Sequence, residues 1–98
     1  MAGIEGYNFE NLSNITEKLA LAELGRQLDN ETDDICKCND CVVDMAAIAL
    51  NRLKPVYRSS LLGELYTDEA ARDKNYVKSV SDAVKFAIEK VRANPSHN

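Results

Sequence analysis

Apolar residues recur three and four positions apart along most of the chain, and this spacing predicts helices and no strands. The first such segment follows Asn14, which is suited to cap a helix because its side-chain oxygen can accept a hydrogen bond from an amide of the first turn. Its apolar positions fall in two adjacent rows, which are Ile15, Leu19 and Ala22, and Leu21, Leu24 and Leu28. The pattern predicts a helix of roughly four turns that ends at the polar sequence DNETDD.

The most apolar segment of the chain is CVVDMAAIALNRL, which predicts a second helix over residues 39–53. Because apolar residues occupy almost every face of this helix, we expect it to be buried on most sides. Pro55 ends it, since proline has no amide hydrogen and disfavours the helical conformation at the preceding residue.

A long final helix is predicted over residues 67–93, with Thr67 as its cap. Its apolar residues keep a spacing of three and four, and they are Val77, Val80, Val84, Ala87 and Val91. A helix of this length would extend beyond the core of so small a domain, so its apolar stripe is predicted to form a homodimer surface. The connection over residues 56–66 has room for one short helical turn. We therefore predict an all-α domain of three to four helices.

The length and composition of the chain predict one small domain. It has 98 residues, of which 45% are hydrophobic, so it can bury one modest core. Residues 1–13 contain two of the four glycines and are predicted to be a flexible arm. Residues 14–94 are predicted to form a single helical domain, and residues 95–98 a tail. At this size a partner subunit or a metal ion often adds stability.

Charge and composition argue against several classes of function. The 12 basic and 16 acidic residues give a net charge of −4, and no basic cluster suits the phosphates of DNA or RNA. No apolar run reaches the length of a membrane span, and the first residues lack the pattern of a secretory signal, so we expect a cytoplasmic protein. The sequence shows no nucleophile paired with a histidine base and no glycine-rich phosphate loop, so we expect no enzymatic activity.

All three cysteines lie within six residues, at Cys36, Cys38 and Cys41. In a reducing compartment such thiols stay reduced, and an odd number cannot form a closed set of disulfides. Cys38 and Cys41 lie at the start of the second predicted helix, where amide groups and the helix dipole stabilise thiolates. Cys36 can add a third sulfur from the preceding extended segment. The cluster therefore predicts a structural zinc site, with three reduced and inert thiols as the alternative.

A tetrahedral zinc site needs a fourth ligand besides the three sulfurs. Asp40 and Asp44 are the nearest candidates, His97 is the only histidine, and water is a further candidate. Asp44 is also suited to accept hydrogen bonds from buried amides, and a histidine this near the end of a chain is commonly a tail residue. Iron–sulfur clusters normally take four cysteines, so zinc is the predicted metal.

The segment CKCNDCVVDMAAIALNRLKPVY resembles the signature of the late competence protein ComFB family, in which C-x-C-x-x-C leads into D-x-x-A-x-x-L-N and then a proline and a tyrosine. The matching positions are Cys36, Cys38, Cys41, Asp44, Ala47, Leu50, Asn51, Pro55 and Tyr57. The sequence NITEKLALAEL also resembles the first helix of the family, so the resemblance covers about residues 11–93. It implies a small all-helical homodimer with zinc held by the cysteine cluster. Some members use a further cysteine near the C-terminus, which this chain does not have.

A second resemblance concerns ALNRLKPVYRSS, residues 49–60. It is similar to the A-L-N-R-L-P-P-x-Y-x-S-S pattern of cyanobacterial ComFB-like proteins, also called CdgR, which are receptors for cyclic di-GMP. This chain has Lys54 where that branch has its first proline, and it has the cysteine cluster that those receptors generally lack. The similarity implies cyclic di-GMP as a ligand.

The side-chain chemistry of this segment suits such a ligand, and four of its residues are predicted to bind it. Arg52 and Arg58 can pair with phosphates or a guanine edge, Tyr57 can stack on a base, and Ser59 can donate to a phosphate oxygen. In the alternative interpretation, without a nucleotide, Arg52 pairs with an acidic residue and Tyr57 packs in the core.

The sequence thus leads to two hypotheses about function. In the first, the protein is a zinc-binding regulatory dimer that binds a cyclic dinucleotide and passes the signal to a protein partner. In the second, it is a structural adaptor in competence or in a surface-appendage system. Zinc then only stabilises the fold, and no nucleotide binds.

Overall fold

A computed structural model describes residues 3–59 and 72–95 of the chain. In these ranges the protein is mainly helical, as predicted. The elements are a 3-10 turn at Ile4–Gly6, strand β1 at Ser13–Asn14, helix α1 at Ile15–Asp29, helix α2 at Asn39–Asn51, strand β2 at Tyr57–Arg58 and helix α3 at Lys74–Ala93. None of the helices in these ranges is both long enough and apolar enough to cross a membrane.

The prediction of no strands is wrong where α1 begins. β1 and β2 pair in an antiparallel manner, with Ser13 opposite Arg58 and Asn14 opposite Tyr57. The Asn14 side chain accepts from the amide of Thr16 at 3.1 Å, which confirms it as the cap of α1, and also from the amide of Val56 at 2.9 Å. One side chain therefore caps a helix and holds the pair of strands. Two-residue strands are too short to produce an alternating pattern in a sequence.

The core lies between the three helices and is formed by one stripe from each. Its buried residues are Ala20, Leu24 and Leu28 of α1, Cys41, Met45 and Ala49 of α2, and Val80, Ala83, Val84, Ala87, Ile88 and Val91 of α3. The expectation that α2 is buried on most sides is met in part, because Val42, Ala46, Ile48 and Leu50 pack half-buried against the core. The buried residues of α2 are spaced by four, and Val43 on another face is 57% exposed. In α1, Leu21 is also exposed, although it lies in a predicted apolar row.

The apolar stripe of α3 packs inside its own chain. Val84 is 0% exposed in the single protomer, and Val80 and Val91 are buried with it. The buried part of this stripe therefore cannot form the predicted homodimer surface, because α3 packs it against α1 and α2. Val77 is the member of the stripe that stays accessible, at 43% exposure.

α3 begins later than predicted. The expected cap, Thr67, lies outside the described residues, but Asp73 has an extended backbone and interrupts any continuous helix over residues 67–93. Its carboxylate accepts from the amides of Asn75 and Tyr76 at 3.0 and 3.2 Å, so Asp73 is the N-cap of α3. The end of the helix at Ala93 agrees with the prediction.

Contacts near the helix ends fix the directions of the three helices. The Thr16 hydroxyl shares a hydrogen bond of 2.6 Å with the Tyr76 hydroxyl, so α1 and α3 begin side by side. Arg92 contacts Glu31 at 2.6 Å, so the two helices also end together. The Thr16 hydroxyl also donates to the Lys54 carbonyl at 2.9 Å, which places the residues after α2 near the start of α1. α2 therefore runs in the opposite direction, and its first turn lies where α1 and α3 end.

Candidate metal centre

Cys38 is the residue at which α2 begins. Its backbone is extended, with φ −69° and ψ 162°, and its sulfur accepts a hydrogen bond from the Cys41 amide at 3.4 Å. This confirms the expectation that Cys38 and Cys41 lie at the start of the second helix. The Cys41 amide and the positive end of the helix dipole therefore lie at the Cys38 sulfur, a setting that suits a ligand atom with negative charge.

The structure brings all three predicted cysteines together. The Sγ atoms of Cys36, Cys38 and Cys41 lie within 4.8 Å of one another, and no disulfide joins them. Three thiolates bound to one tetrahedral zinc ion at about 2.3 Å have sulfur–sulfur distances of about 3.8 Å. The observed upper limit exceeds that value by about 1 Å, a difference that side-chain rotation can close. Three sulfurs in this arrangement could hold a metal ion.

The neighbouring cysteines affect the pKa of the Cys36 thiol. A hydrogen bond from the Cys38 backbone lowers the pKa of the Cys36 thiol. Hydrogen bonds with the Cys38 and Cys41 side chains, together with burial, outweigh it and raise that pKa above its ordinary value. A negative charge on Cys38 adds to this effect, because it disfavours a second thiolate at Cys36. A divalent metal removes this conflict, because all three sulfurs can bind it as anions.

The group of possible ligand atoms in the described ranges consists of three sulfurs and contains no carboxylate oxygen. Asp40 is exposed in the first turn of α2, and Asp44 is half-buried one turn after Cys41. Neither belongs to the group, and His97 lies outside the described residues. The described residues thus bring together three potential ligand atoms, one fewer than a tetrahedral site needs.

The cluster lies at the edge of the core and beside an open cleft. Cys41 is buried, whereas Cys36 and Cys38 are half-buried and pack against the core. A cleft of about 280 Å³ adjoins Cys36, and Arg92 and Pro95 of the C-terminal part also line it. Sequence reasoning did not single out Arg92. The spacing of residues gives no signal for it, because Arg92 contacts acidic residues 59 and 61 positions earlier in the chain.

The four residues expected at a nucleotide site fall into two groups. Tyr57, Arg58 and Ser59 follow one another on an exposed edge, and an Arg58 guanidinium nitrogen donates to the Tyr57 carbonyl at 2.8 Å. Tyr57 is 56% exposed, so the alternative in which it packs in the core is wrong. Arg52 lies at the end of α2, and its guanidinium carbon stacks 3.8 Å from the centre of the Phe86 ring.

Fold and site together define a small helical protein with a candidate thiolate metal centre at the start of its second helix. The family model of the late competence development protein ComFB matches residues 13–95, so the chain belongs to the ComFB family. A solved structure of the late competence protein ComFB from Bacillus subtilis is similar, with a TM-score of 0.73 and 26% sequence identity. The similarity covers 87% of this chain and 92% of that one. A comparison with curated proteins finds no match.

Proposed function

We propose that this protein is a zinc-binding regulatory protein of the ComFB type, in which Cys36, Cys38 and Cys41 hold a structural zinc ion. The observation that carries the proposal is the approach of three Sγ atoms to within 4.8 Å at the N-terminus of a helix. Soft thiolates favour zinc over magnesium or calcium, and a structural zinc site commonly contains three or four of them. The proposal requires a compartment where thiols stay reduced, such as the cytoplasm.

Zinc at this position would stabilise the whole domain. The cluster joins the loop after α1 to the first turn of α2, at the end of the molecule where α3 also ends. An ion that binds the folded chain and not the unfolded chain contributes its binding free energy to folding. The metal would thereby connect segments that the modest core holds only in part.

Metal analysis of Cys38→Ser tests the zinc proposal. Serine is a good N-cap, so this substitution removes a sulfur ligand while keeping the start of α2. We expect one zinc per wild-type chain purified under reducing conditions, and much less in the variant. A strong chelator should lower the melting temperature of the wild type and leave that of the variant nearly unchanged. Wild-type protein without stoichiometric metal would contradict the proposal.

We also propose that the exposed edge at Tyr57, Arg58 and Ser59 binds cyclic di-GMP and that binding is passed to a protein partner. The exposure of an aromatic ring, a guanidinium group and a hydroxyl on consecutive residues supports this proposal. A guanine base can stack on the ring, and phosphate can accept from the other two groups. Arg52 would have to leave the Phe86 ring in order to join them.

Calorimetric titration with cyclic di-GMP tests the nucleotide proposal. We expect heat release that saturates for the wild type and is lost in Arg58→Ala. Arg26→Ala is the control, because Arg26 is an exposed arginine of α1 whose guanidinium pairs with Glu23. Absence of heat at saturating ligand would contradict nucleotide binding. The adaptor function would then remain, and a pull-down should recover the same protein partner with or without nucleotide.

We propose that the protein forms a homodimer through the outer face of α2. Val43 and Ala47 are exposed there and Leu50 is half-buried, at a spacing of four and three residues along the helix. Such a stripe suits packing against a second helix. Sedimentation of Val43→Glu should show a monomer where the wild type sediments as a dimer. An unchanged profile would contradict this choice of surface.

A further inference from the structure

Arg92, in the last turn of α3, connects that helix to the loop that follows α1. One terminal nitrogen of its guanidinium lies 2.6 Å from a Glu31 carboxylate oxygen, and the other lies 3.0 Å from an Asp33 carboxylate oxygen. Glu89, one turn earlier on α3, adds a third carboxylate at 3.4 Å. The planar guanidinium therefore spans two acidic residues of a loop that is distant in sequence.

The loop is also fixed on the other side of Cys36. The Lys37 ammonium donates to the Leu28 carbonyl at the end of α1, at 2.8 Å. Within the loop, the Asp33 amide donates to a Glu31 carboxylate oxygen at 3.1 Å. The segment that carries Cys36 is therefore attached to α3 before the cysteine and to α1 directly after it.

Cys36 depends on these attachments more than the other two cysteines do. The helical frame of α2 fixes the distance between Cys38 and Cys41, because Cys38 caps the helix and Cys41 lies in its first turn. Cys36 lies on a segment without regular structure, so the path of the loop sets the position of its sulfur together with its hydrogen bonds to Cys38 and Cys41. Cys36 and Arg92 line the same cleft of about 280 Å³.

We propose that Arg92 is a positioning residue of the metal centre, which holds the loop over residues 31–36 so that the Cys36 sulfur meets those of Cys38 and Cys41. This inference rests on the proposed zinc site. The Arg92 side chain is 27% exposed, and its buried Nε has no hydrogen-bond partner among the described residues. The two terminal nitrogens of Arg92 therefore make its contacts with the loop. The hydrogen bond with Asp33 and the charges of Glu31 and Glu89 raise the pKa of Arg92 above its ordinary value, so it stays charged.

Cobalt(II) substitution tests this role, because thiolate–cobalt absorption reports how many sulfurs bind the metal. In Arg92→Ala we expect affinity for cobalt and zinc to fall by about 10- to 100-fold, as for other residues that orient metal ligands. The thiolate absorption per bound cobalt should also fall, consistent with the loss of one of three sulfurs. A role in stability alone would not change that absorption.

Two further variants make the result specific. Lys78→Ala removes a surface ion pair of 2.8 Å with Asp82 elsewhere on α3, and it should bind metal as the wild type does. Glu31→Gln weakens the shortest contact of Arg92 without changing α3, so it should also lower the affinity for metal. This variant keeps the test valid if Arg92→Ala folds poorly.

The outcomes separate the two proposals. A wild-type protein without thiolate–cobalt absorption would overturn the metal site and the role of Arg92 with it. A wild type with that absorption, together with Arg92→Ala and Glu31→Gln variants of equal affinity and equal absorption, would overturn only the role of Arg92.

Discussion

Cys38 has two roles in this structure, because its sulfur both caps α2 and belongs to the thiol cluster. The spacing of the cysteines was enough to predict this arrangement, since one turn of helix separates Cys38 from Cys41 and the two must lie close together. The position of Cys36 could not be derived in the same way. It depends on Arg92 and Lys37, whose partners lie on other elements.

Glu23 provides a test of electrostatics at the scale of one residue. Its carboxylate accepts from Arg26 at 2.7 and 2.8 Å and from Gln27 at 2.7 Å. The hydrogen bond with Arg26 is the main cause that lowers the pKa of Glu23 from 4.5 to about 2. Because the folded state lowers this pKa, the contribution of Glu23 to stability is complete above pH 4.5 and is lost as the pH falls towards about 2.

Comparison with Glu23→Gln, which cannot ionise, measures this contribution. In metal-free protein we expect the wild type to exceed the variant in free energy of unfolding near neutral pH. The difference should shrink below pH 4.5. Urea unfolding at several pH values provides the measurement. A difference that stays constant into acid would show that the Arg26 contact contributes nothing to folding.

Val84 and Val77 form a matched pair in the apolar stripe of α3. Val84 is completely buried in the protomer, whereas Val77 is 43% exposed. We expect Val84→Ala to lower the free energy of unfolding by roughly 2 kcal/mol, through lost burial and a cavity, and Val77→Ala by less than half of that. Chemical denaturation measures both. Equal losses would mean that the stripe is not packed against α1 and α2.

At the scale of elements, local sequence patterns predicted where helices lie, but they did not predict which elements pack or pair with one another. The cap at Asn14 and the helix end at Ala93 follow from side-chain chemistry within a few residues, and both were predicted. The pairing of β1 with β2 was not, because it joins residues more than forty positions apart and depends on the contact between Asn14 and Val56. Apolar spacing also could not reveal which face of α2 is exposed in the described part of the chain.

Gly25 offers a test of helix α1 as an element. It is exposed in the interior of the helix, and a Cβ built on it meets no atom within 4 Å. Gly25→Ala should therefore raise the free energy of unfolding by about 0.5–1 kcal/mol, because alanine loses less backbone entropy on folding. The reverse substitution at the exposed Ala22 should lower it by a similar amount. Thermal unfolding with no gain from Gly25→Ala would indicate that the space around α1 is occupied.

At the scale of the whole molecule, the directions of the helices bring the three cysteines to one end of the domain. α1 and α3 run together and α2 runs back between their ends, so the loop after α1, the start of α2 and the end of α3 meet at the cysteines. The contacts that determine this topology join residues about sixty positions apart. The three cysteines could therefore be predicted as a site, whereas their setting beside Arg92 could not.

X-ray absorption at the zinc edge, on the full chain purified under reducing conditions, is the decisive test of the proposed metal centre. We expect one zinc ion per chain, with three sulfur atoms at about 2.3 Å and a fourth ligand atom that completes the tetrahedron. Cys36→Ser should reduce the number of sulfur neighbours by one. A zinc ion surrounded only by nitrogen and oxygen, or a folded protein that takes up no zinc, would contradict the account.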